Sequence, residues 1–271
     1  MGWKRKDYRD FSVHVYSAGE DGCLANSYIV ETASHLLVID TQCLLPYAEK
    51  VKAMAVRLNK PIARVIITHA HPDHWFGTSV FAGEQIYALP TVRMEMEKDA
   101  VTAFQRNKPR LGDKIGDEAV LPNHTLEKGR FVVDGVEIYV HEILNTETSS
   151  LAVLEIPAEK ILFASDMVYA HTHIYVADNH IEEWIAALKS CQQKSFKDIF
   201  PGHGNDFSPQ VLQEEMNYLR SAGKVIAEAK SFSEFRQRML ALYPDYAGKL
   251  LLELNAMFLV LPLGSHLETD A

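Results

Sequence analysis

The sequence predicts a mixed α/β fold with one main domain. Short apolar strand patterns alternate with helical patterns through the first three-quarters of the 271 residues, and no internal repeat, low-complexity tract or long linker interrupts them. The composition is ordinary for a globular protein, with 47% hydrophobic and 23% charged residues. A chain of this length and composition can bury a sizeable core.

The first half of the chain predicts paired strands and then alternating helices and strands. Residues 26–32 and 35–40 have the pattern of neighbouring strands, and residues 46–58 have helical periodicity. The apolar run at 63–69 is typical of a buried strand, so the histidine-rich segment that follows lies just past a strand end. The last elements of this half are a strand at 85–89 and a polar helix from 91 to about 110.

The second half predicts hairpins and then helices. Strands at 131–133 and 136–143 flank the turn Asp134-Gly135, and strands at 151–156 and 161–164 flank a turn at 157–160. A helix at 181–193 leads into a strand and turn at 198–204. Ser208 and Pro209 match an N-cap followed by proline at the first helical position, and the remainder is predicted to be helical to the end.

Charge and cysteine content limit the classes of partner and compartment. The net charge of −9 disfavours nucleic acid as the main partner, and no segment has the apolar length of a signal peptide or a membrane span. Cys23, Cys43 and Cys191 are an odd, widely spaced set that predicts neither a disulfide framework nor a zinc site. We therefore expect a cytoplasmic protein with a small-molecule substrate.

The segment His69-Ala70-His71-Pro72-Asp73-His74 carries the strongest chemical signal. His69 and His71 alternate at a strand end, so in extended backbone their imidazoles project to the same face and can bind one cation. Asp73 and His74 follow where the chain leaves the strand, which re-aims them toward a second position. Six residues can thus supply ligands to two metal ions.

The segment resembles the His-x-His-x-Asp-His signature of the metallo-β-lactamase superfamily. The strands NSYIVE and LLVIDTQ, the strand ILFASD and the loop FPGHG are also similar to superfamily segments, so the resemblance spans roughly residues 20 to 207. It implies a four-layer αββα sandwich over residues 1–207, with a helical extension over 208–271 packed on the same domain. It also implies that Asp166 bridges two metals and that His203 completes the second site with Asp73 and His74.

The third ligand of the first site departs from the commoner family pattern, which places a histidine there. In this chain that position falls at Thr146 or Glu147, and the stretch TETSSLAVLEIP is similar to a loop of bacterial alkylsulfatases that uses glutamate. We predict Glu147 as the ligand. The alternatives are His141 on the preceding strand, with Glu147 a solvated loop acid, and a first site that is weak or empty. Carboxylate oxygen suits zinc and suits iron or manganese better still.

The resemblance implies a dinuclear hydrolase. Two divalent metals, expected to be zinc with iron or manganese as alternatives, would activate a bridging hydroxide, and Asp73 would orient the water and move its proton. Asp40 resembles the acid that orients a ligand histidine, and a strand-end capping role is an equal alternative. Tyr169 is spaced like a tyrosine of the quorum-quenching lactonase branch that donates to a developing oxyanion, and plain packing is the alternative. Trp75, His171 and His173 lie near the same loops and either shape the pocket or lie on its surface.

Three classes of function follow from the sequence. The first is hydrolysis of an ester, lactone, thioester or β-lactam-like bond, with sulfate-ester cleavage as the alternative that the Glu147 loop suggests. The second is iron-dependent redox chemistry, and the third is metal binding without turnover. The helical extension is expected to shape the pocket, to form a homodimer contact, or only to pack on the core.

Overall fold

The strands form two sheets in a computed structural model, which describes residues 2–261. The seven strands found there for the first sheet are, in spatial order, β1 (Gly2–Asp7), β2 (Ser12–Ser17), β3 (Asn26–Glu31), β4 (Leu36–Ile39), β5 (Ile62–Ile66), β6 (Ile86–Ala88) and β7 (His124–Thr125). Those of the second sheet are β12 (Asp198–Gly204), β11 (Ile161–Ala170), β10 (Ser150–Ile156), β9 (Val136–Leu144) and β8 (Gly129–Val133). The end of the predicted helical extension, residues 262–271, lies outside the described residues.

The helices cover the outer faces of the two sheets. They are α1 (Leu45–Leu58), α2 (Pro72–Trp75), α3 (Pro90–Leu111), α4 (Ile181–Gln193), α5 (Val211–Glu228), α6 (Phe232–Leu242) and α7 (Lys249–Leu254). Helix α1 packs against β3, whereas α5 packs against α4 and β11. Between the sheets, the Tyr28 ring of β3 lies 5.3 Å from the Phe163 ring and 5.4 Å from the Phe200 ring. This helix–sheet–sheet–helix layering confirms the predicted αββα fold.

Parallel pairing brings strand ends to one edge of the sandwich. Strands β4 and β5 are parallel, with Ile39 opposite Ile66, so the segments that follow them leave the sheet together. Strands β11 and β12 are parallel as well, with Tyr169 opposite His203. Loops at the carboxyl ends of parallel strands are the usual place for a ligand site. The predicted metal ligands are therefore carried to a common edge.

Three local predictions differ from the structure. Strands β1 and β2 are antiparallel partners at the edge of the first sheet and were not predicted. Helix α5 begins at Val211 and not near Ser208, because residues 208–211 form a turn closed by a bond from Val211 N to Ser208 O. Ser208 does not cap this helix, since its N–H donates to the Asp206 carboxylate at 2.8 Å.

Two further observations concern cysteines and membranes. Cys23, Cys43 and Cys191 are all free thiols, as their spacing predicts. None of the helices between residues 2 and 261 combines the length and the apolar character that a membrane span needs.

Burial of His173 predicts a loss of stability in acid. This side chain is buried, and burial together with Lys249 lowers its pKa to about 4. In the unfolded chain this histidine binds its proton below about pH 6.5, whereas in the folded protein it does so only below about pH 4. Between these two pH values the unfolded state therefore holds more protons, and the free energy of unfolding decreases as the pH is lowered. We expect the loss to reach about 3 kcal/mol by pH 4. Urea unfolding between pH 7 and 4.5 measures it.

The control separates His173 from the other histidines. His173→Gln is expected to flatten this pH dependence, because glutamine can still bond the Tyr218 hydroxyl, which lies 3.0 Å from His173 Nδ1. His141→Gln changes a histidine whose side chain is 38% exposed, and it should keep the wild-type slope. An unchanged slope in His173→Gln would contradict the assignment.

Candidate metal centre

The histidine-rich segment changes from extended backbone to helix within a few residues. His71 is the last extended residue, with φ −73° and ψ 139°, and Pro72 begins the short helix α2. Proline suits the first helical position, because its ring fixes φ and its missing N–H has no partner there. The turn directs Asp73 and His74 away from His71 but keeps the rings close, with the His69 centroid 5.0 Å from that of His71 and 4.4 Å from that of His74.

The first group of ligand atoms comprises His69, His71 and Glu147. Glu147 Oε2 lies 2.7 Å from His71 Nδ1 and 3.6 Å from His69 Nε2. Glu147 stands in the tight loop between β9 and β10, which a bond from Asn145 N to Ser149 O closes at 3.1 Å. The loop directs its carboxylate inward, so that only 2% of the side chain is exposed.

His141 is far from this arrangement. It lies on β9 with its Nε2 3.0 Å from Glu155 Oε2, and its side chain is 38% exposed. The structure therefore brings Glu147, and not His141, beside His69 and His71. The assignment of Glu147 as a ligand stays a prediction with a direct experimental test.

The second group comprises Asp73, His74 and His203. Asp73 Oδ2 lies 3.5 Å from His203 Nε2 and 3.9 Å from His74 Nε2. His203 reaches the group from β12, where its residue also forms an isolated bridge with Ala25. The ring atoms of both histidines are fully buried.

Asp166 lies between the two groups. Its Oδ1 is 3.1 Å from His74 Nε2, and its Oδ2 is 2.9 Å from His203 Nε2 and 3.7 Å from His69 Nε2. The backbone of β12 approaches this carboxylate so closely that a Cβ at Gly202 would lie 1.8 Å from Asp166 Oδ1. Only glycine fits at position 202, because a real Cβ never comes that near another heavy atom.

Buried and poorly satisfied polar atoms show that the donor set fits metal ions. His69 Nε2 makes no hydrogen bond to any described residue, and Glu147 Oε2 and Asp166 Oδ1 face only the ring nitrogens of other predicted ligands, His71 and His74. Buried polar atoms are normally satisfied, and each exception needs a partner that the protein alone does not provide. These atoms lie within 4.8 Å of the other members of their groups, as ligands of one ion do. Imidazole and carboxylate donors of this kind suit divalent cations.

Neighbouring groups fix the orientation of the histidine rings. Asp40 Oδ2 accepts from His74 Nδ1 at 2.9 Å, and the Cys23 carbonyl accepts from His203 Nδ1 at 2.7 Å. The hydroxyl of Thr68 lies 3.1 Å from His69 Nδ1. Each bond occupies Nδ1 and leaves Nε2 to face the centre, which is how ligand histidines are usually held. Asp40, which the sequence leaves between an orienting and a capping role, orients His74 here.

Protons on the histidines compensate the charge of the centre when no cation is bound. Four carboxylates, those of Asp40, Asp73, Glu147 and Asp166, surround the buried histidines, and such charges are costly unless compensated. Burial lowers the pKa of His71, but the nearby carboxylates, Glu147 first, outweigh it and raise this pKa to about 9, and Asp166 likewise raises the pKa of His74 and of His203 against burial. Burial raises the pKa of Glu147 to about 7 against the opposing charge of His71. Divalent cations would take the place of the protons on these histidines opposite the same carboxylates.

Tyr169 lies beneath the ligands. Its hydroxyl is 2.8 Å from Asp166 Oδ2 and 3.0 Å from Glu147 Oε1, and its ring stacks on that of His203 at 4.5 Å. The side chain is only 3% exposed, and among the described residues those that line the neighbouring cavity do not include it. This placement favours holding the two carboxylates over the contact with a substrate oxyanion that the resemblance implies.

A cavity of about 590 Å³ opens above the centre, a size typical of small-molecule sites. Its floor contains His71, Asp73 and Glu147, and one wall is helix α3. Leu251 and Leu254 of α7, and Met257 and Phe258 after it, also line the cavity. Trp75 also lines the cavity, whereas His173 is buried and His171 bonds Asp206 on the surface.

Sequence reasoning missed Tyr175. Its ring stands edge-on to that of His71, with centroids 5.3 Å apart, and it lines the cavity beside the metal ligands. Burial and then Glu147 raise the pKa of its hydroxyl, which therefore stays protonated at neutral pH. Tyr175 follows Asp166 by nine residues in a loop without a motif, so no sequence signal distinguishes it from a packing aromatic.

Comparison with known proteins places the chain in a family. The profile of the metallo-beta-lactamase superfamily matches residues 21–203, a stretch that includes the histidine-rich segment, Glu147, Asp166 and His203. The chain belongs to the metallo-β-lactamase superfamily. This confirms the resemblance that the sequence motifs indicate.

Curated proteins with similar sequences include fungal thioesterases. The chain is 25% identical over 215 residues to atrochrysone carboxyl ACP thioesterase dmxR1 of Cryptosporiopsis sp. (strain 8999). The match covers 76% of this chain and 59% of that protein. It is 26% identical over 182 residues to atrochrysone carboxyl ACP thioesterase AgnL7 of Paecilomyces divaricatus, covering 66% of this chain and 50% of that protein. The chain thus spans between half and three-fifths of the length of these relatives.

Solved structures of the superfamily share the fold. A metallo-β-lactamase from Pontibacter korlensis superposes with a TM-score of 0.64 at 19% identity, covering 81% of this chain and 99% of that one. The metallo-β-lactamase IND-7 superposes with a TM-score of 0.64 at 18% identity, covering 80% of this chain and 98% of that one.

Proposed function

We propose that this protein is a hydrolase of acyl thioesters that depends on two divalent metal ions. The observation that carries the proposal is the convergence of buried imidazole and carboxylate ligand atoms beside a cavity. Membership of the superfamily supports hydrolysis, and the thioesterase activity named for the curated relatives supports a thioester substrate. Zinc is the metal that the mixed histidine and carboxylate set favours, with iron or manganese as alternatives.

The residues divide into two sets that would hold the ions. His69, His71 and Glu147 would hold one, and the second group, Asp73, His74 and His203, would hold the other. Asp166 would contact both, since its two oxygens face different histidines. Two cations bound here supply a nucleophilic water at neutral pH, because coordination lowers the pKa of water from 15.7 to about 7.

The chain's own groups would then move the protons. Water adds to the thioester carbonyl carbon, the carbon–sulfur bond breaks with its electron pair going to sulfur, and the products are a carboxylate, a thiol and one proton. Asp73 lines the cavity and lies beside His203 of the second group. Its carboxylate can therefore accept the water proton and return it to the leaving sulfur.

Tyr175 is expected to donate a hydrogen bond to the substrate oxygen. Tyr175→Phe should lower kcat about 100-fold and leave KM nearly unchanged, because a donor to a developing oxyanion acts mainly in the transition state. Steady-state kinetics on an acyl thioester measure this. In contrast, Tyr169→Phe should lower metal affinity about 10-fold to 100-fold, as loss of a bond to a ligand does. A larger kcat loss in metal-saturated Tyr169→Phe than in Tyr175→Phe would reverse the two roles.

Metal content and turnover together test the proposed function. Purified protein is expected to carry close to two divalent ions per chain and to release thiol from an acyl N-acetylcysteamine or an acyl-coenzyme A. Chelation should abolish release, and added zinc, iron or manganese should restore it. Absence of thiol release from both substrates by fully metal-loaded protein would contradict the proposal.

Sulfate-ester cleavage is the second candidate, favoured only by the glutamate at position 147. Alkyl sulfates assayed beside the thioesters separate the two activities. Sulfate release without thiol release would favour this candidate. An iron-loaded protein with activity that depends on oxygen would instead favour redox chemistry.

A further inference from the structure

Helix α3 presents two arginines to the cavity. Arg106 and Arg110 both line it and stand four residues apart, which places them one helical turn from each other on the same side of the helix. Like charges at this spacing destabilise a helix slightly. Arg110 lies in the last turn of α3, where the helix dipole favours a cation, whereas Arg106 lies before that turn.

Neither arginine has a carboxylate partner among residues 2–261. The Arg106 guanidinium lies over the Phe258 ring at 5.2 Å, and Arg110 donates to the Asn107 side-chain oxygen at 3.1 Å. Two other cations of the same helix are paired, since Arg93 bonds Glu97 at 2.8 Å and Lys108 bonds Asp117 at 2.9 Å, whereas Lys98, which also lines the cavity, makes no such bond among the described residues. The two cavity arginines thus keep unneutralised charge at the cavity.

The two arginines lie at one end of the cavity's charged residues on α3. In the first half of the helix Lys98 lies between Glu95 and Asp99, so that its charge has acidic neighbours, and Asp178 adds a further acid to the lining. Arg106 follows Glu95 by eleven residues, or about 16 Å along the helix axis. In a chain with a net charge of −9, this basic end is an unusual feature that would attract an anion.

The surroundings of the arginines suit a ligand that is both anionic and partly apolar. Met257 and Phe258, which are 53% and 43% exposed, line the cavity together with α3. A planar guanidinium over an aromatic ring is held in place, with its remaining N–H groups free to donate. Guanidinium groups bind carboxylate and phosphate oxygens through paired bonds.

We propose that Arg106 and Arg110 form an oxyanion-binding subsite that recognises a carboxylate or phosphate group of the substrate. The proposal rests on the proposed function, since it assigns the substrate of that same cavity. The substrate is then an acyl thioester that carries an anionic group, either a phosphate on the thiol arm or a carboxylate on the acyl group. The metal centre at the floor faces the thioester, and the arginines hold the charged end.

Paired thioesters test the subsite. Butyryl-coenzyme A and butyryl N-acetylcysteamine differ in the phosphates of the thiol arm, whereas glutaryl and pentanoyl N-acetylcysteamine differ in a carboxylate on the acyl group. Arg106→Met and Arg110→Met are expected to raise KM about tenfold or more for the preferred anionic member of a pair. KM for the neutral member and kcat for both should stay within about twofold of wild type.

A matched control and a binding measurement complete the experiment. Arg93→Met makes the same charge change on α3, but Arg93 bonds Glu97 and does not line the cavity, so it should leave all four KM values unchanged. Calorimetric binding of desulfo-coenzyme A and of glutarate to the metal-loaded protein reports the subsite without turnover. Arg106→Met and Arg110→Met should weaken the binding of one of them about tenfold.

The outcomes separate the subsite from the proposed function. A penalty confined to the coenzyme A substrate identifies phosphate as the anion, and one confined to the glutaryl substrate identifies carboxylate. Equal effects on charged and neutral members, or no effect on any, would overturn the subsite while leaving thioester hydrolysis intact. If wild type cleaves no thioester, arginine-dependent binding still supports the subsite and contradicts the function, whereas arginine-independent binding overturns the subsite.

Discussion

Asp166→Asn is expected to lower thioester turnover on the order of a thousandfold. The carboxylate faces His74 Nε2 through one oxygen and His203 Nε2 through the other, so its neutral analogue removes charge from both groups of ligands at once. Metal content should fall well below two ions per chain. Plasma emission analysis of the purified variant, beside thiol release under saturating metal, measures both effects.

Asp198 provides the control for this change. It is a mostly buried aspartate at the start of β12 that bonds the Tyr8 hydroxyl at 2.7 Å and not the histidines. Asp198→Asn is expected to alter stability and to keep the wild-type metal content. Full activity and two ions in Asp166→Asn would mean that this carboxylate does not bind metal.

Glu147→Ala is expected to reduce the metal content from two ions toward one. Glu147 is the only carboxylate that the described structure places beside both His69 and His71 in the first group, and two histidines alone form an incomplete site. Turnover should fall at least about 100-fold, because a single remaining ion would have to activate the water without help from a second ion. Glu147→His should restore much of the zinc binding, since imidazole is a good zinc ligand.

His141→Ala tests the competing assignment in the same experiment. His141 pairs with Glu155 on the sheet, so this variant should keep two ions and full turnover. Loss of metal in His141→Ala together with retention in Glu147→Ala would show that the third ligand was assigned wrongly.

Features close in sequence were the easiest to predict. Most strands from residue 26 to residue 164, with the exception of the short β7, follow from apolar runs and turns, and the histidine-rich segment combines four candidate ligands in six residues. Asp166 lies within β11, which continues six residues beyond the predicted strand end at residue 164, and His203 lies near the end of β12. A resemblance of order and context was needed to distinguish both from ordinary strand or turn residues. Their meeting depends on the parallel pairing of β11 with β12.

Other features depend on contacts that sequence does not encode locally. Strand β1 is a mostly exposed edge strand, and an exposed strand has no alternation of apolar residues for a pattern to reveal. The roles of Tyr169 and Tyr175 depend on which ring lies under the ligands and which lies in the cavity, although both follow Asp166 within one segment. In the sequence, Arg106 and Arg110 have the spacing of an ordinary solvated helix face. Only the structure shows that they line a cavity together with residues of α7 and of the segment after it.

The origin of the predicted ligands has a consequence for the stability of the protein. They come from the segment after β5 of the first sheet and from the second sheet, where they lie on β11, on β12 and in the loop before β10, so bound ions would link the two sheets. Any species that binds only the folded state stabilises it, by about 2.7 kcal/mol at a free concentration one hundred times its Kd. The supply of metal would then change the free energy of unfolding as well as the chemistry.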